Sequence, residues 1–506
     1  MENIRVRFAP SPTGALHIGG IRTALYNYLL AKKFGGTFIL RIEDTDQTRF
    51  VPGAEAYIIE SLRWAGIVPV EGPGFGGEYG PYRQSDRKAI YLDYAEQLIE
   101  SGQGYYAFDT PEELDAARSA DENFKYDSKT RLSLKNSLSL SPEEVTSRLA
   151  AGEAYVIRLK VPENETVLIQ DLVRGEVSFQ SNELDDKVML KGDGMPTYHL
   201  ANVVDDRLMK ITHVIRGEEW LPSTAHHVLL YRAFGWEAEM PRFAHLPLIL
   251  KPNGQGKLSK RDGSRLGIPV FPISWVSETP EDSFVGFREF GFDPRAMVNF
   301  MAFMGWNPGT EQEIFSMDEL AAAFSVEKIG KSGARFDFDK AKWFNQQYIM
   351  ASSDEELALT IRPLIEAQGH QPTEAFLRSF AGMMKERVVL FPDFWTNGAY
   401  FFEDFTVFDE ATIRKKWKTD GSRAIFTPLV DQLEQLVDYN PGAVQACVEA
   451  FTNAAGLKFG DVLPILRVGL TGTMKGPAVF DMMALLGKAE CRRRLERAFD
   501  LFDKLS

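Results

Sequence analysis

The chain has 506 residues, 44% hydrophobic and 25% charged, which is ordinary globular composition with room for about three or four domains. Acids exceed bases by 71 − 57 = 14, so a nucleic-acid partner has to be held by local basic patches rather than by overall charge. Two cysteines exclude a disulfide scaffold and any multi-thiolate cluster. The start carries no apolar signal core and no apolar run reaches about 18 residues, which points to a reduced, cytoplasmic protein without a membrane partner.

In chain order, the alternation of Ile4 to Phe8 predicts a strand, Ala9 to Gly14 a loop, Gly20 to Phe34 a helix stopped by Gly35 and Gly36, and Thr37 to Ile42 a second strand. Strand, helix and strand in so short a span form a βαβ unit, hence a parallel sheet with a right-handed crossover. The first loop then lies at the carboxyl end of a strand, where open α/β sheets bind ligands. Helices are predicted over Pro52 to Ala65 and Asp86 to Ser101. Within 105–195 the character changes: Thr110-Pro111-Glu112-Glu113 and Ser141-Pro142-Glu143-Glu144 each read as N-cap, proline and N3 glutamate, and Ala154 to Lys160 reads as strand. That interval reads as an insertion splitting one α/β domain, which resumes around Tyr198 to Trp236. From about 330 the pattern is helical, with a capping box at Ser353 and a helix that Pro363 should kink or end.

Two stretches carry chemistry. Pro10-Ser11-Pro12-Thr13-Gly14, then Leu16-His17-Ile18-Gly19-Gly20, place small residues at a turn so that a nucleotide can lie against backbone. The helix that follows aims its positive end at phosphate, and His17 can donate to phosphate oxygens. Gly256-Lys257-Leu258-Ser259-Lys260-Arg261-Asp262-Gly263 packs three cations into five positions between glycines, as suits a mobile loop closing over polyphosphate. Alone, the first reads equally well as a Gly/Pro-rich turn with one histidine, and the second as a solvated basic turn.

Together, about 240 residues apart and bracketing a split α/β domain, the two stretches resemble the signature motifs of the class I aminoacyl-tRNA synthetases, which bind ATP. Three intervening runs are similar to the bacterial glutamyl branch: Arg41-Ile42-Glu43-Asp44-Thr45-Asp46, Tyr198 to Asp206, and Ile215-Arg216-Gly217-Glu218-Glu219-Trp220. The resemblance covers nearly the whole chain and is strongest in 1–100 and 186–262. It implies an α/β class: a split Rossmann-type parallel-sheet catalytic domain (1–104 and 196–265, the latter with the lysine loop) with an α+β acceptor-end-binding insertion (105–195). A stem-contact region (266–330) and an all-α anticodon-binding region (331–506) would follow.

The resemblance further implies ATP-dependent ligation of L-glutamate to tRNA(Glu) through glutamyl-adenylate, by a monomer using ATP with Mg2+. It assigns ATP to Pro10, Thr13, Gly14, His17, Gly19, Gly20, Glu219, Lys257, Ser259 and Lys260, with His17, Lys257 and Lys260 catalytic through charge stabilisation. Glutamate falls to Arg7 and Arg216 for carboxylate oxygens, Tyr198 for a phenolic donor, Glu43 for the ammonium, and Ser11 and Asn202 as supports. Arg49 and Arg387 would touch tRNA. Without the resemblance, Arg7 reads as a strand residue facing solvent, Glu43 and Asp44 as an acidic turn, and Tyr198 as core. The chemistry agrees with the implied roles: a neutral glutamine amide facing two arginines opposes donors to donors, which costs on the order of several kcal/mol.

Departures are visible too. Gly20 stands where the wider class has a second histidine. Ala107, Asp109, Thr130 and Leu132 stand where many relatives carry a Cys-x-Cys and Cys-x-His zinc site, so no structural zinc is expected. Cys447 and Cys491 read as core residues. His226 and His227 point about 100° apart on a helix and read as packing rather than as one metal site. Arg492 to Arg494 read as a solvated helix face. Two alternatives stay open: a form that also charges tRNA(Gln), and a catalytically silent nucleotide- or RNA-binding relative.

Overall fold

The opening residues form a βαβ unit in the computed structural model, which describes residues 3–277, 279, 281, 283–418 and 421–505. Arg5–Phe8 (β1) and Thr37–Leu40 (β2) pair in parallel from Arg5↔Thr37 to Phe8↔Leu40, joined by Ile18–Phe34 (α1). Glycine is required where the crossover returns, because a Cβ on Gly36 would stand 2.2 Å from Ile4 O. The alternation of β1 does not mark an exposed face. All four of its residues are buried, and Arg5 and Arg7 are accommodated by ion pairs to Glu71 and Asp206.

Ala54–Trp64 (α2) and Lys88–Glu100 (α3) precede Gly104–Ala107 (β3). Pro111–Ala120 (α4) and Pro142–Ala150 (α5) both begin with reciprocal capping boxes, Thr110 with Glu113 and Ser141 with Glu144, each contributing about 1 kcal/mol. Val156–Leu159 (β4), Thr166–Asp171 (β5), Gly175–Gln180 (β6) and Val188–Leu190 (β7) follow, then Tyr198–Leu208 (α6), His213–Gly217 (β8), Leu221–Ala233 (α7) and Arg242–Leu246 (β9). The main sheet has the order β2-β1-β8-β9-β5-β6, parallel except for the β5–β6 hairpin.

This topology corrects the reading of 105–195 as one insertion. Only β3, β4 and β7 make a separate antiparallel sheet; β5 and β6 return to the edge of the main sheet, where Asp171 pairs beside Phe243. Alternate residues of β5 are buried, which suits packing on either sheet and therefore does not specify which one.

Ile249–Leu250 (β10) precedes the short helix Lys260–Leu266 (α8), then come Phe287–Phe290 (α9), Pro294–Ala302 (α10) and Met317–Ala323 (α11). Ala334–Arg335 (β11) pairs in parallel with β10. The chain divides into two units, one running to Glu289 and resuming over Pro294–Ala341, the other comprising Phe290–Asp293 and the residues from Lys342 on. The expected start of the helical region at 331 therefore falls too early, because β11 is tied to the first unit. In that unit α1 docks on the segment near α10: Arg22 Nη1 donates to Met304 O at 2.8 Å and Tyr26 Oη to Ala302 O at 2.9 Å.

From Phe338–Ala351 (α12) onward the described residues form helices, turns and loops. Asp354–Glu366 (α13) continues past Pro363, which denies Leu359 O its i+4 donor, and closes one turn later where Ala367 donates to Pro363 O. The core of this second unit gathers around Trp417, stacked on Phe499 and donating to Asp503 Oδ1 at 2.8 Å, and includes buried Cys491 with Cys447 packed against it. Among the described residues no helix is long and apolar enough to cross a membrane.

Candidate active site

A cleft of about 470 Å³ opens at the carboxyl ends of β1 and β8. The sheet order places β1 between β2 and β8, so successive crossovers leave it in opposite directions and open a crevice there. The loop after β1 supplies Pro10, Ser11, Thr13 and His17, and α1 begins with Gly19 and Gly20 against the cleft. Glu43 follows β2, Tyr198 and Asn202 come from α6, Arg216 ends β8, Glu219 lies just beyond, and Lys257 reaches in from the loop after β10. Arg7 and Arg49 also line it. Residues some 240 positions apart in sequence thus share one cavity.

At one end the groups suit phosphate. His17 caps α1, its Nδ1 accepting the Gly19 N–H at 3.1 Å. That bond places the imidazole proton on Nε2, which is buried without a described partner. Burial first, then the charges of Lys260, Lys257 and Arg22, push its pKa down to about 3, so the ring is a neutral donor at physiological pH. Lys257 Nζ lies 2.8 Å from Glu219 Oε1; burial opposes ionisation of Glu219, and the lysine outweighs it and holds the carboxyl below its ordinary range. Lys260, at the start of α8, does not line the cavity wall, but its Nζ would be 3.8 Å from a Cβ on Gly14, whose φ is 121°. Ser259 also stands off the wall: its Oγ donates to Asp262 Oδ2 at 2.6 Å and caps α8.

The other end is a set of buried charges. Arg7 gives Nε and Nη2 to Asp206 at 3.0 and 3.2 Å, and Arg41 gives Nη1 to the same carboxylate at 2.7 Å. Glu43 Oε1 accepts from Arg41 Nη2 at 2.9 Å and from Asn202 Nδ2 at 3.0 Å. Burial works against ionised Asp206, but Arg7 and Arg41 prevail and keep its carboxyl below the usual range. Arg216 differs from both arginines. Its described acceptors are Tyr198 Oη at 2.7 Å, Thr224 Oγ1 at 2.7 Å, Trp220 O at 3.3 Å and His245 Nε2 at 3.1 Å, all neutral. Burial depresses its pKa and the neighbouring Arg7 adds to that, while Tyr198, Asp206 and Glu43 act in the opposite direction without touching it except through the Tyr198 hydroxyl. Four acceptors leave one of the five guanidinium N–H groups for a ligand.

Sequence reasoning quotes Arg41, Asp205 and Asp206 only within matching runs and gives them no role, and it does not reach Arg22, Thr224 or His245. A signal existed for two of them: Tyr198, Asn202 and Asp205 or Asp206 recur at helical spacing, one face of α6. Asp205 is held by Arg87 Nε at 2.7 Å and Tyr91 Oη at 2.8 Å. His226 and His227 are buried in an aromatic cluster with His199 and Tyr198, His226 Nε2 lying 2.9 Å from Asp185 O. Of the zinc positions, Asp109 accepts from Lys135 N and Tyr126 Oη, and Leu132 is exposed. Among the described residues no group of His, Cys, Asp and Glu could hold a metal ion. Arg49 pairs with Asp46 at 2.6 Å on the cleft rim, while Arg387 belongs to the second unit and donates to Met383 O.

Residues 3–343 match the family of tRNA synthetases class I (E and Q), catalytic domain, and residues 356–499 match an anticodon binding domain. The glutamate--tRNA ligases of Phocaeicola vulgatus and Parabacteroides distasonis are each 52% identical over 501 residues, covering 99% of this chain and 99% of theirs. Crystal structures of a glutamate tRNA ligase from Elizabethkingia meningosepticum in complex with its amino acid and of glutamate-tRNA synthetase from Elizabethkingia anophelis superpose with TM-scores of 0.93 and 0.92 at 47% identity. The first covers 99% of both chains, the second 99% of this chain and 100% of its own.

Proposed function

Since the chain belongs to the class I tRNA synthetases for glutamate and glutamine, we propose that its cleft performs the ATP-dependent ligation of L-glutamate to tRNA(Glu) with the residues described above. What supports this assignment of the pocket is Arg216. Arg7 and Arg41 share Asp206 and Glu43, two cations for two carboxylates, whereas Arg216 is a buried guanidinium on neutral partners beside an open cavity. Such a site is completed by an anion. Glutamate brings its side-chain carboxylate to Arg216 and Arg7, with Tyr198 Oη as a further donor, and its ammonium to Glu43. Glutamine leaves the Arg216 charge unpaired, a difference on the order of several kcal/mol.

The reaction needs no protein nucleophile. An α-carboxylate oxygen of glutamate bonds to the α-phosphorus of ATP as the bond to the bridging oxygen breaks, giving glutamyl-adenylate and pyrophosphate. The terminal adenosine hydroxyl of the tRNA then attacks the activated carbonyl and releases AMP. The chain's contribution is placement and charge: the His17 Nε2–H and the Gly19 end of α1 face the phosphates, Lys257 exchanges its partner Glu219 for phosphate oxygen, and Lys260 closes from α8. Thr13 and Gly14 form the backbone surface on which the nucleotide lies. Magnesium that accompanies ATP would be carried chiefly by phosphate oxygens and water, where it would neutralise charge on the triphosphate. The second unit would bind the anticodon arm, Arg387 being one candidate contact, with Arg49 meeting the acceptor end. We assign the enzyme to the cytoplasm as a monomer.

The deciding measurement is aminoacylation of total tRNA with glutamate and with glutamine, identifying the tRNA charged. Glutamate on tRNA(Glu) is expected, and absence of glutamate charging would overturn the reading. Lys260→Ala should cost at least a hundredfold in ATP–pyrophosphate exchange with unchanged thermal unfolding.

A further inference from the structure

Three adjacent strands carry a row of side chains that ends on Arg216. In the parallel register of β8 and β9, Arg216 is the direct neighbour of His245, and β5 lies on the far side of β9 with Asp171 paired beside Phe243. His245 Nδ1 is 2.6 Å from Asp171 Oδ2, and His245 Nε2 is 3.1 Å from Arg216 Nε. The His245 and Asp171 side chains are wholly buried. Asp171 is itself fixed, its Oδ1 accepting the backbone N–H groups of Val173 at 2.9 Å, Arg174 at 2.8 Å and His245 at 3.3 Å.

We propose that Asp171 and His245 are positioning residues that hold the Arg216 guanidinium in the orientation that pairs with a carboxylate, and thereby set the preference for glutamate over glutamine. The inference rests on the reading of Arg216 as a glutamate ligand. Its logic is one of donors and acceptors. A carboxylate that already receives three backbone N–H bonds on Oδ1 presents Oδ2 to His245, so the ring proton sits on Nδ1 and Nε2 is a bare lone pair. That lone pair accepts the Arg216 Nε–H, with Thr224 Oγ1 3.2 Å from the same nitrogen, while Thr224 and Trp220 hold Nη2 and Tyr198 holds Nη1. The guanidinium is tied along its back edge by an acceptor with no charge of its own, and the nearest anion on that side, Asp171, is a full imidazole away. Charge is stabilised from behind without occupying the N–H aimed at the cleft.

Asp171→Asn tests this with nearly unchanged volume. The amide oxygen keeps the three backbone bonds, so the amide nitrogen faces His245 and donates to Nδ1. The imidazole proton moves to Nε2 and opposes the Arg216 Nε–H. The expected result is a glutamate KM raised tenfold or more, an ATP KM within twofold, and a higher ratio of glutamine to glutamate kcat/KM. Nitrogen NMR of histidine-labelled full-length protein should show His245 protonated on Nδ1 in the parent and on Nε2 in the variant. His245→Leu should raise the glutamate KM likewise, and the double variant should be no worse than the poorer single one. Arg216→Ala separates the two levels of the argument. If it leaves the glutamate KM unchanged, the assignment of Arg216 fails. If it raises that KM while Asp171→Asn and His245→Leu, folded by circular dichroism, stay within twofold of the parent, the positioning role is refuted and the ligand assignment stands. Loss of glutamate and ATP binding to the same degree in all variants would equally refute positioning, since it would mark a merely structural row.

Discussion

Replacing Asp206 with alanine removes the one carboxylate that two buried arginines share. Three charge-assisted hydrogen bonds end on it, two from Arg7 and one from Arg41, and at about 1.5–3 kcal/mol each they set a ceiling of roughly 5–9 kcal/mol. Arg41 keeps its 2.9 Å bond to Glu43, whereas every described hydrogen bond of the Arg7 side chain goes to Asp206, so one guanidinium is left desolvated and alone. The cost expected for such a broken buried pair is about 3–5 kcal/mol. Asp206→Asn can keep the two bonds that end on one oxygen, but it sets an amide N–H against Arg7 Nη2 and removes the charge both arginines pair with, so it should destabilise as well, by less than alanine. Urea-dependent hydrogen exchange at the β1 and α6 amides reads the loss where it occurs, and the glutamate KM should rise in parallel because Arg7 loses its fixed orientation. An alanine variant within about 0.5 kcal/mol of the parent, with glutamate KM unchanged, would show that this network neither holds the fold nor shapes the pocket.

His17 is neutral well below physiological pH, so kcat/KM for ATP should show no inflection from it between pH 6 and 9, and His17→Asn, which still donates, should outperform His17→Ala; an inflection near pH 6.5 that His17→Asn abolishes would refute the neutral-donor role. The same depression makes acid destabilising: His17 and His199 fall to about 3 when folded, so below about pH 6.5 only the unfolded chain takes up their protons and stability drops as pH falls, by up to about 1.4 kcal/mol per pH unit for each. Melting temperatures that stay level from pH 7 to 4.5 would contradict that sign. Gly36→Ala should cost about 2 kcal/mol or more, because the new Cβ meets Ile4 O at 2.2 Å, whereas Gly20→Ala, which meets the flexible end of Leu16, should be read mainly in ATP affinity; equal melting of the two variants would refute the distinction.

The parts of this site that could be read from the sequence are those whose chemistry is local. Pro10 to Gly20 is a turn followed by a helix start whatever surrounds it, and Gly256 to Gly263 is a basic loop by composition alone. Glu43 and Arg216 needed the resemblance, since a lone acid after a strand or a lone arginine within one is compatible with a solvent-facing role. Asp171 and His245 were beyond reach for a different reason. They lie 74 positions apart, and their meeting depends on β5 joining the main sheet, which the alternation of Thr166 to Asp171 does not reveal. The resemblance gives Ser259 to the nucleotide, and in the structure its hydroxyl satisfies the end of its own helix, a use that the Ser-x-x-Asp spacing already announces.

The hairpin of β5 and β6 bears on how this protein could be recombined with its relatives. A graft that treats residues 105–195 as a cassette, cut once on either side, would strip the main sheet of its outer hairpin and remove the pairing of Asp171 and Leu172 with Phe243 of β9. It would also carry off Asp171, a residue that reaches the cleft's arginine only through the recipient's own histidine. A chimera that exchanges β3, β4, β7 and the two capped helices but leaves Thr166 to Gln180 in place keeps both the edge and that connection, so viable crossover points are four rather than two.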